Sequence, residues 1–356
     1  MPPPEPGGHR RDPEQALRRG SWVKLIGGAS NQDLAALEDL AGIYALAGVH
    51  CIDVAADEGV VAAVRRGIAW AQGRGSGRPW VMVRLSDGAD PHFRKAWFDP
   101  RRCPADCPRP CERVCPALAI DGGGVRPDRC YGCGRCLPAC PLGLIGERPH
   151  VLAAEAVPPL LAAIAPDAVE LHTRPGRAGP FAERLRQVGG AGVALRRLAV
   201  SCGLEGDGSR AGPAADASAL AAELWQRHAQ LRRAGWSPLW QLDGRPMSGD
   251  VGSGTAHAAV QLLQRVGPLA PPGPLTLAGG TNPHTLELVR RLGPNGVPVA
   301  GVAFGGVARQ RLQPLLQEAQ RRGRRLLDLA DLHPQALAIA GALVGPWLRR
   351  RLPAPG

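Results

Sequence analysis

A chain of 356 residues with 44% apolar residues is long enough to bury a full hydrophobic core, in one large domain or two ordinary ones. Its 21% of charged residues is close to the globular average, and no apolar run reaches the roughly 20 residues of a membrane-spanning helix, which excludes disorder, collagen and a membrane span as the main architecture. The net charge of +12 comes without arginines interleaved with aromatic residues, so nucleic-acid binding is not expected.

The N-terminal residues 1–20 are rich in proline and charge and contain no apolar segment of the kind that directs export. We therefore expect a flexible tail on a cytoplasmic protein. Beyond the tail, apolar runs with β-branched residues alternate with helical patterns, which is typical of βα units. Ser30, with Asp33 three residues later, predicts a capping box for the first of these helices. Three strands are predicted before residue 99, over residues 22–27, 51–55 and 80–85.

A dense block holds eight of the ten cysteines, between residues 103 and 140. In a reducing compartment such a block indicates metal binding rather than disulfides. Its second half, residues 130–141, reads C-x2-C-x2-C-x3-C-P, the signature of bacterial ferredoxins. The two-residue gaps let three thiolates reach three irons of one cube from a tight loop, and Gly132 and Gly134 permit the dihedral angles that this loop requires.

The first half of the block, residues 103–116, has three-residue gaps but the same C-x3-C-P ending, and the sequences around both halves repeat. Such a duplication is typical of two-cluster ferredoxins, in which the last cysteine of each run ligates the other cluster. We therefore predict two [4Fe–4S] clusters, one held by Cys130, Cys133, Cys136 and Cys115 and the other by Cys103, Cys107, Cys111 and Cys140.

Two other metal chemistries also use closely spaced cysteines. A pair of four-cysteine zinc sites is the alternative, although zinc requires neither a third cysteine at this spacing nor a following proline. Radical S-adenosylmethionine chemistry uses C-x3-C-x2-C, and no three consecutive cysteines in this chain have that spacing.

After the block the alternation of strands and helices resumes. Five further strands are predicted, over residues 168–173, 198–202, 239–243, 275–278 and 302–304. Eight strands predict a (β/α)8 barrel of roughly 250 residues, although the strand count leaves an open doubly wound sheet as the competing layout. The predicted division is a barrel over 21–98 and 151–348, a ferredoxin insert over 99–150 and a second tail over 349–356, with a closing core helix at 336–348.

Polar residues in predicted strands indicate a polar pocket or an internal network, because barrel interiors are usually apolar. These residues are Asp53, Arg84, Glu170, His172, Gln241 and Asp243. Two glycine pairs, Gly279–Gly280 and Gly305–Gly306, follow the seventh and eighth strands, where barrels often bind phosphate. They are candidates for a flavin or nucleotide phosphate. Cys51 and Cys202, which lie in strands, are interpreted as small buried apolar side chains.

Four segments outside the cysteine runs carry a family resemblance: residues 24–30, 47–57, 90–96 and 241–250. Together with the two runs they resemble the cyanobacterial light-dependent period protein family, LdpA, over roughly residues 20–309. The resemblance implies an iron–sulfur protein that reports cellular redox state, and through it light intensity, to the circadian clock. It implies the eight cysteines of the block as ligands, clock-input proteins as partners, and no established catalytic reaction.

Three functions are compatible with these features. The first is a redox sensor, whose cluster potentials nearby arginines should raise because positive charge stabilises an added electron. The second is an iron–sulfur oxidoreductase with a flavin at the barrel mouth, and the third is plain electron carriage. The basic charge fits an acidic electron carrier, although codon bias in a GC-rich genome also explains it. The arginines near the cysteines are Arg102, Arg109, Arg113, Arg129 and Arg135.

Overall fold

The computed structural model describes residues 12–90, 92–204, 216–244, 253–293 and 296–352. The strands, numbered in chain order, are β1 Trp22–Gly28, β2 Cys51–Ala55, β3 Trp80–Ser86, β4 Arg94–Trp97, β5 Ile120–Asp121, β6 Gly124–Val125, β7 Gly146–Pro149, β8 Ala168–His172, β9 Arg197–Cys202, β10 Pro238–Asp243, β11 Leu275–Ala278 and β12 Gly301–Phe304. The helices are α1 Pro13–Arg19, α2 Leu34–Leu46, α3 Glu58–Gln72, α4 Pro110–Arg113, α5 Cys136–Ala139, α6 Val157–Ile164, α7 Ala178–Gly190, α8 Ala217–Arg233, α9 Ala256–Val266, α10 Thr285–Arg290, α11 Gly306–Arg321 and α12 His333–Leu348.

Eight parallel strands close into a barrel, in the order β1-β12-β11-β10-β9-β8-β3-β2. The closure confirms the predicted (β/α)8 barrel and excludes an open sheet, because β1 pairs with β2 on one side and with β12 on the other. All three strands predicted before the cysteine block and all five predicted after it are present. Parallel strands that are buried on both faces have nearly continuous apolar sequences. The composition of each segment was therefore enough to predict a strand there. Cys51 and Cys202 are both buried, as predicted.

The start of α2 differs from the predicted capping box. The N-cap is Asp33, whose carboxylate accepts a hydrogen bond from the Ala36 N–H at 3.2 Å. Ser30 instead donates its hydroxyl to the carbonyl oxygen of His92 at 3.2 Å. The prediction was wrong because Asp is itself a strong N-cap residue, and Ser30 has a tertiary partner that the sequence pattern does not reveal.

Both predicted tails extend too far into the folded chain. Within the predicted 1–20 tail, helix α1 buries Leu17 against the N-terminal ends of the barrel strands, and Glu14 pairs with Arg197 at 2.7 Å. At the other end, the Leu352 N–H donates to the carbonyl oxygen of Arg19 at 2.8 Å. The two ends of the described chain therefore meet and close the bottom of the barrel, while residues 1–11 and 353–356 lie outside the described part.

The insert between β3 and β8 is a small module with two short helices and two two-stranded sheets. Strand β4 pairs with β7 in antiparallel register, and β5 pairs with β6. Since β4 begins at Arg94, the module starts before the predicted boundary at residue 99. It leaves the barrel at the carboxyl end of β3, which places it over the mouth of the barrel.

Helix α12 contains the predicted closing core helix and begins three residues earlier, at His333. Its buried face includes Leu343, Val344 and Trp347. In the described part of the chain, no helix combines the length and the apolar character that crossing a bilayer requires.

A buried carboxylate holds the chain between α11 and α12. Asp39 of α2 accepts hydrogen bonds from the N–H groups of Leu326 at 2.9 Å and Leu327 at 3.1 Å. Burial raises the pKa of Asp39 from 3.8 to about 6, although these hydrogen bonds and the nearby Arg325 act in the opposite direction. The folded protein therefore binds this proton more tightly than the unfolded chain. Its stabilising contribution is complete below a pH of about 3.8 and is lost as the pH rises through about 6.

We expect Asp39→Asn to remove this pH dependence. Between about pH 5 and about pH 7 the free energy of unfolding of the wild type should fall by about 1 kcal/mol relative to the variant. Urea unfolding of both proteins under anaerobic conditions at several pH values measures the difference. Glu287→Gln, which changes a surface carboxylate paired with Arg291, is the matched control. The difference in the free energy of unfolding between the wild type and this variant should not change over the same pH range. If the free energies of unfolding of the wild type and of Asp39→Asn differed by the same amount at every pH, the raised pKa of Asp39 would be contradicted.

Candidate metal centre

Four cysteines line one small cavity in the inserted module, of about 330 Å³ including its opening. One comes from the first cysteine run and three come from the second: Cys115, Cys130, Cys133 and Cys136. Burial raises the pKa of the Cys136 thiol to about 12, and the other three sulfurs act in the same direction. Thiols brought together in this way lose their protons when a metal group binds, so the cavity has the chemistry of a metal–thiolate site.

The other four cysteines of the block form a second group. The pKa of Cys111 is raised by burial and by the neighbouring sulfur of Cys140. The pKa of Cys103 is also raised, by burial first and then by Cys107 and Cys140. The last cysteine of the second run therefore lies beside the first run, just as Cys115 lies beside the second.

The separation of the sulfurs distinguishes a cluster from a single ion. Four thiolates on one zinc, each at about 2.3 Å from the metal, lie about 3.8 Å from one another. Among the described residues, no three cysteine sulfurs lie within 4.8 Å of one another. A cube in which each thiolate binds a different iron requires the wider spacing, so the residues fit an iron–sulfur cluster better than a zinc ion.

The internal duplication is visible in the hydrogen bonds to sulfur. The Ala119 N–H donates to the Cys115 sulfur at 3.2 Å, and the Leu144 N–H donates to the Cys140 sulfur at 3.4 Å. Both donors lie four residues after the cysteine, at equivalent positions of the repeat. N–H donors of this kind stabilise the negative charge of a bound thiolate.

Gly132 and Gly134 have the role predicted for them. Their φ angles are +72° and +77°, in the region that favours glycine. A Cβ atom at Gly132 would collide with the carbonyl oxygen of Arg94, and one at Gly134 would lie 2.6 Å from the Arg94 guanidinium. The ligand loop therefore lies directly against β4.

The module contacts the barrel through an aromatic cluster and a polar anchor. The rings of His92 and Phe93 lie 4.7 Å and 5.3 Å from the ring of His172, at the end of β8. Lys95 of β4 donates to the side-chain oxygen of Gln32 at 2.6 Å. These contacts attach the cysteine module to the β1 and β8 sides of the barrel mouth.

The polar strand residues form an internal network, one of the two outcomes that the sequence left open. Lys24 of β1 pairs with Asp53 of β2 at 2.6 Å and also with Glu170 of β8. Arg84 of β3 donates to Asp53 at 2.7 Å. Gln241 of β10 donates to Glu170 at 3.1 Å, and thereby joins the other half of the barrel to the network. All five side chains are at most 4% exposed.

Three groups of the network are favoured in their charged forms despite burial, whereas burial raises the pKa of Asp53 although Arg84 and Lys24 act against it. Burial opposes charging of Lys24, but Asp53 and Glu170 outweigh it and raise the pKa of this lysine. Burial also opposes charging of Glu170, but Arg84 and Lys24 hold its pKa well below the usual value. The pKa of His172 is raised because Glu170, 2.8 Å from its Nε2 atom, overcomes the effect of burial. Lys24, Glu170 and His172 therefore form a group of paired charges inside the barrel.

Sequence reasoning missed Lys24, the centre of this network. The signal was present, because Lys24 is one of two lysines in the chain and lies in a predicted strand.

Both predicted glycine pairs line one cleft between the barrel mouth and the module. The cleft encloses about 980 Å³, including its open mouth. Cys133 and Arg135 of the ligand loop form part of its wall, and so do Tyr131 and Arg309. Sequence patterns gave no indication of Tyr131 or Arg309, because their proximity depends on how the module packs on the barrel.

Two observations define an iron–sulfur protein built on a (β/α)8 barrel. The eight block cysteines lie in a module over the mouth of the barrel, and residues 103–151 match the family model of the LdpA Fe-S cluster-binding domain. Residues 160–346 match the light dependent period A C-terminal domain. A curated relative, "Light dependent period A" of Synechococcus elongatus, is 46% identical over 339 residues, which are 94% of this chain and 93% of that protein. The chain belongs to the light dependent period A family.

Solved structures that resemble this chain are barrel enzymes of low sequence identity. A fructose-bisphosphate aldolase from Plasmodium falciparum is 13% identical, with 98% of each chain covered and a TM-score of 0.44. An (S)-3-O-geranylgeranylglyceryl phosphate synthase from Thermoplasma acidophilum is 10% identical, with 92% of this chain and 96% of that chain covered and a TM-score of 0.41. Nothing about the chemistry of this chain follows at this level of similarity.

Proposed function

We propose that the module holds two [4Fe–4S] clusters with crossed ligands and that the protein is a redox sensor. The main observation in support of the crossed ligands is that Cys115 shares one cavity with three cysteines of the other run. Cys140 makes the reciprocal approach to Cys103 and Cys111. One cluster would be held by Cys115, Cys130, Cys133 and Cys136, and the other by Cys103, Cys107, Cys111 and Cys140.

Clusters of this type, when bound, exchange single electrons at potentials set by charge, hydrogen bonding and exposure. The chain supplies N–H donors to sulfur, among them Ala96 to Cys130 at 3.3 Å. Of the arginines predicted to raise the potential, Arg109 pairs with Glu112 at 3.1 Å. Arg135 instead lines the cleft next to Cys133, and it should stabilise an added electron most directly.

The proposed signal passes from the ligand loop to the barrel. Tyr131, between Cys130 and Gly132, packs against Gly28 at the end of β1, where an added Cβ atom would lie 3.1 Å from that of Tyr131. A change of charge at the neighbouring thiolates therefore acts on a contact between module and barrel. Membership of the light dependent period A family supports clock-input proteins as the recipients of this signal.

The net charge of +12 supports an acidic carrier as the electron donor. We also propose a cytoplasmic location, because eight reduced thiols are needed as ligands.

A redox titration of anaerobically purified protein, followed by electron paramagnetic resonance, tests the proposal. We expect two reversible one-electron signals of the [4Fe–4S] type. At least one of their midpoint potentials should lie within the range of redox potentials found in cells. Arg135→Gln should lower one midpoint potential, and Arg186→Gln, which changes an exposed arginine of α7, should leave both unchanged. A single cluster per chain, or clusters that are not reduced within the cellular range, would contradict redox sensing by two clusters.

One observation favours a second candidate, an iron–sulfur oxidoreductase with a flavin at the barrel mouth. Cys133 and the glycine pairs line the same cleft, so a flavin held there would lie beside a cluster ligand. Addition of flavin to the cluster-loaded protein, followed by gel filtration, should then leave a bound flavin spectrum. If the protein showed no flavin absorbance after gel filtration, this function would be excluded.

A further inference from the structure

A buried cation without an ion-pair partner lies beside the cleft. Arg309 of α11 is 5% exposed, and its Nη2 atom has no hydrogen-bond partner among the described residues. In the described part of the chain no carboxylate lies within ion-pair distance of its guanidinium, and its ring contact is with Tyr131, 5.6 Å to the centroid. Burial lowers the pKa of Arg309, although Tyr131 and Asp33 act in the opposite direction. A desolvated guanidinium of this kind is stabilised by an anion.

The same wall of the cleft presents backbone donors. Helix α11 begins at Gly306 after an N-cap glycine, Gly305, that makes no side-chain capping bond. The first N–H groups of a helix have no partner within the helix and attract anions. Side chains in a helix lean towards its N-terminus, so Arg309, three residues after Gly306, leans towards these donors.

The loop after β11 completes the wall. Gly279 and Gly280 have φ angles of +68° and +90°. A Cβ atom at Gly280 would lie 2.8 Å from the carbonyl oxygen of Thr255, so only glycine fits there. Thr255 also donates its hydroxyl to the Gly280 carbonyl oxygen at 2.6 Å, which holds the loop in place.

The charges that line the cleft favour an anion. Arg135 and Arg309 carry guanidinium groups on its wall, and Arg84 carries a third that is already paired with Asp53. The acidic side chain of the lining is Asp243, which accepts a hydrogen bond from Ser201.

We propose that this cleft binds the phosphate group of a small phosphomonoester, with Arg309 and the N–H groups at Gly279–Gly280 and Gly305–Gly306 as its partners. The rest of the molecule extends towards Tyr131 and Cys133. This places a metabolite within contact of the cysteine ligand loop, whether or not the clusters act as a sensor.

Isothermal titration calorimetry of the anaerobic, cluster-loaded protein tests the site with three probes: inorganic phosphate, flavin mononucleotide and adenosine monophosphate. Saturable binding of at least one probe is expected, and Arg309→Gln should weaken it at least 10-fold. Arg311→Gln, an exposed arginine on the same helix, is the matched control and should bind as the wild type does.

A second variant keeps the test valid if Arg309→Gln fails to fold. Gly306→Asp places a carboxylate in the first turn of α11, which favours the helix but repels a phosphate. It should keep the wild-type melting temperature and lose binding.

The three probes also distinguish the sources of the phosphate group. Tighter binding of flavin mononucleotide or of adenosine monophosphate identifies the kind of metabolite, and equal binding of all three identifies phosphate itself as the recognised group. Each of these outcomes supports the site. Absence of binding by every probe, or binding that is unchanged in Arg309→Gln and Gly306→Asp, would overturn it. The iron content, measured on the same samples, reports separately on the clusters.

Discussion

Replacing Cys115 and Cys133 together by alanine should leave about half of the iron, about four atoms per chain. In the crossed arrangement both residues belong to one cluster, so the other cluster keeps its full set of ligands. Replacing Cys111 and Cys115 together should instead remove most of the iron, because each cluster loses one ligand. Iron and acid-labile sulfide, measured on anaerobically purified protein, give the result.

The two double variants are a matched pair, since each removes Cys115 and one other block cysteine. If each run held its own cluster, the two outcomes would be exchanged, which makes the crossing directly testable. Cys202→Ala, a buried cysteine outside the block, should keep the wild-type iron content. Far-ultraviolet circular dichroism of each variant checks that the barrel, which contributes most of the helix, is still folded.

Lys24→Met should destabilise the barrel by about 3–5 kcal/mol. The substitution removes the cation that pairs with Asp53 and Glu170 and leaves two carboxylates buried without it. Removing one partner of a buried pair costs more than the pair itself contributes, because the remaining charge stays desolvated. Urea unfolding followed by circular dichroism under anaerobic conditions measures the change.

The second lysine of the chain supplies the control for this variant. Lys95 is half-buried and donates to Gln32 and to the carbonyl oxygen of Pro127, with no carboxylate partner among the described residues. Lys95→Met should therefore cost about 1 kcal/mol. Equal stability of Lys24→Met and the wild type would contradict the charged network and indicate that its carboxylates are protonated in the folded protein.

Local patterns predicted the fold because each barrel strand is a short apolar segment whose character does not depend on its neighbours. All eight strands were located in this way, and their number and alternation with helices favoured a barrel over an open sheet, but closure itself became visible only in the pairing of β1 with β12. Iron–sulfur binding was predicted from the spacing of Cys130, Cys133 and Cys136, because three ligands of one cube come from a single tight loop. The number of clusters and the crossing of their ligands stay predictions.

By itself the sequence determined the eight strands, the inserted cysteine module and the iron–sulfur chemistry, since these depend on residues close together in the chain, whereas closure of the strands into a barrel depends on the pairing of β1 with β12. The tertiary structure decided what depends on residues far apart. It placed Lys24 among carboxylates of β2 and β8, packed α1 under the barrel, and brought Arg309 to Tyr131 across the mouth. The physical reason is that burial and ion pairing are properties of the packed molecule, and no local pattern specifies which distant side chain will share a buried site.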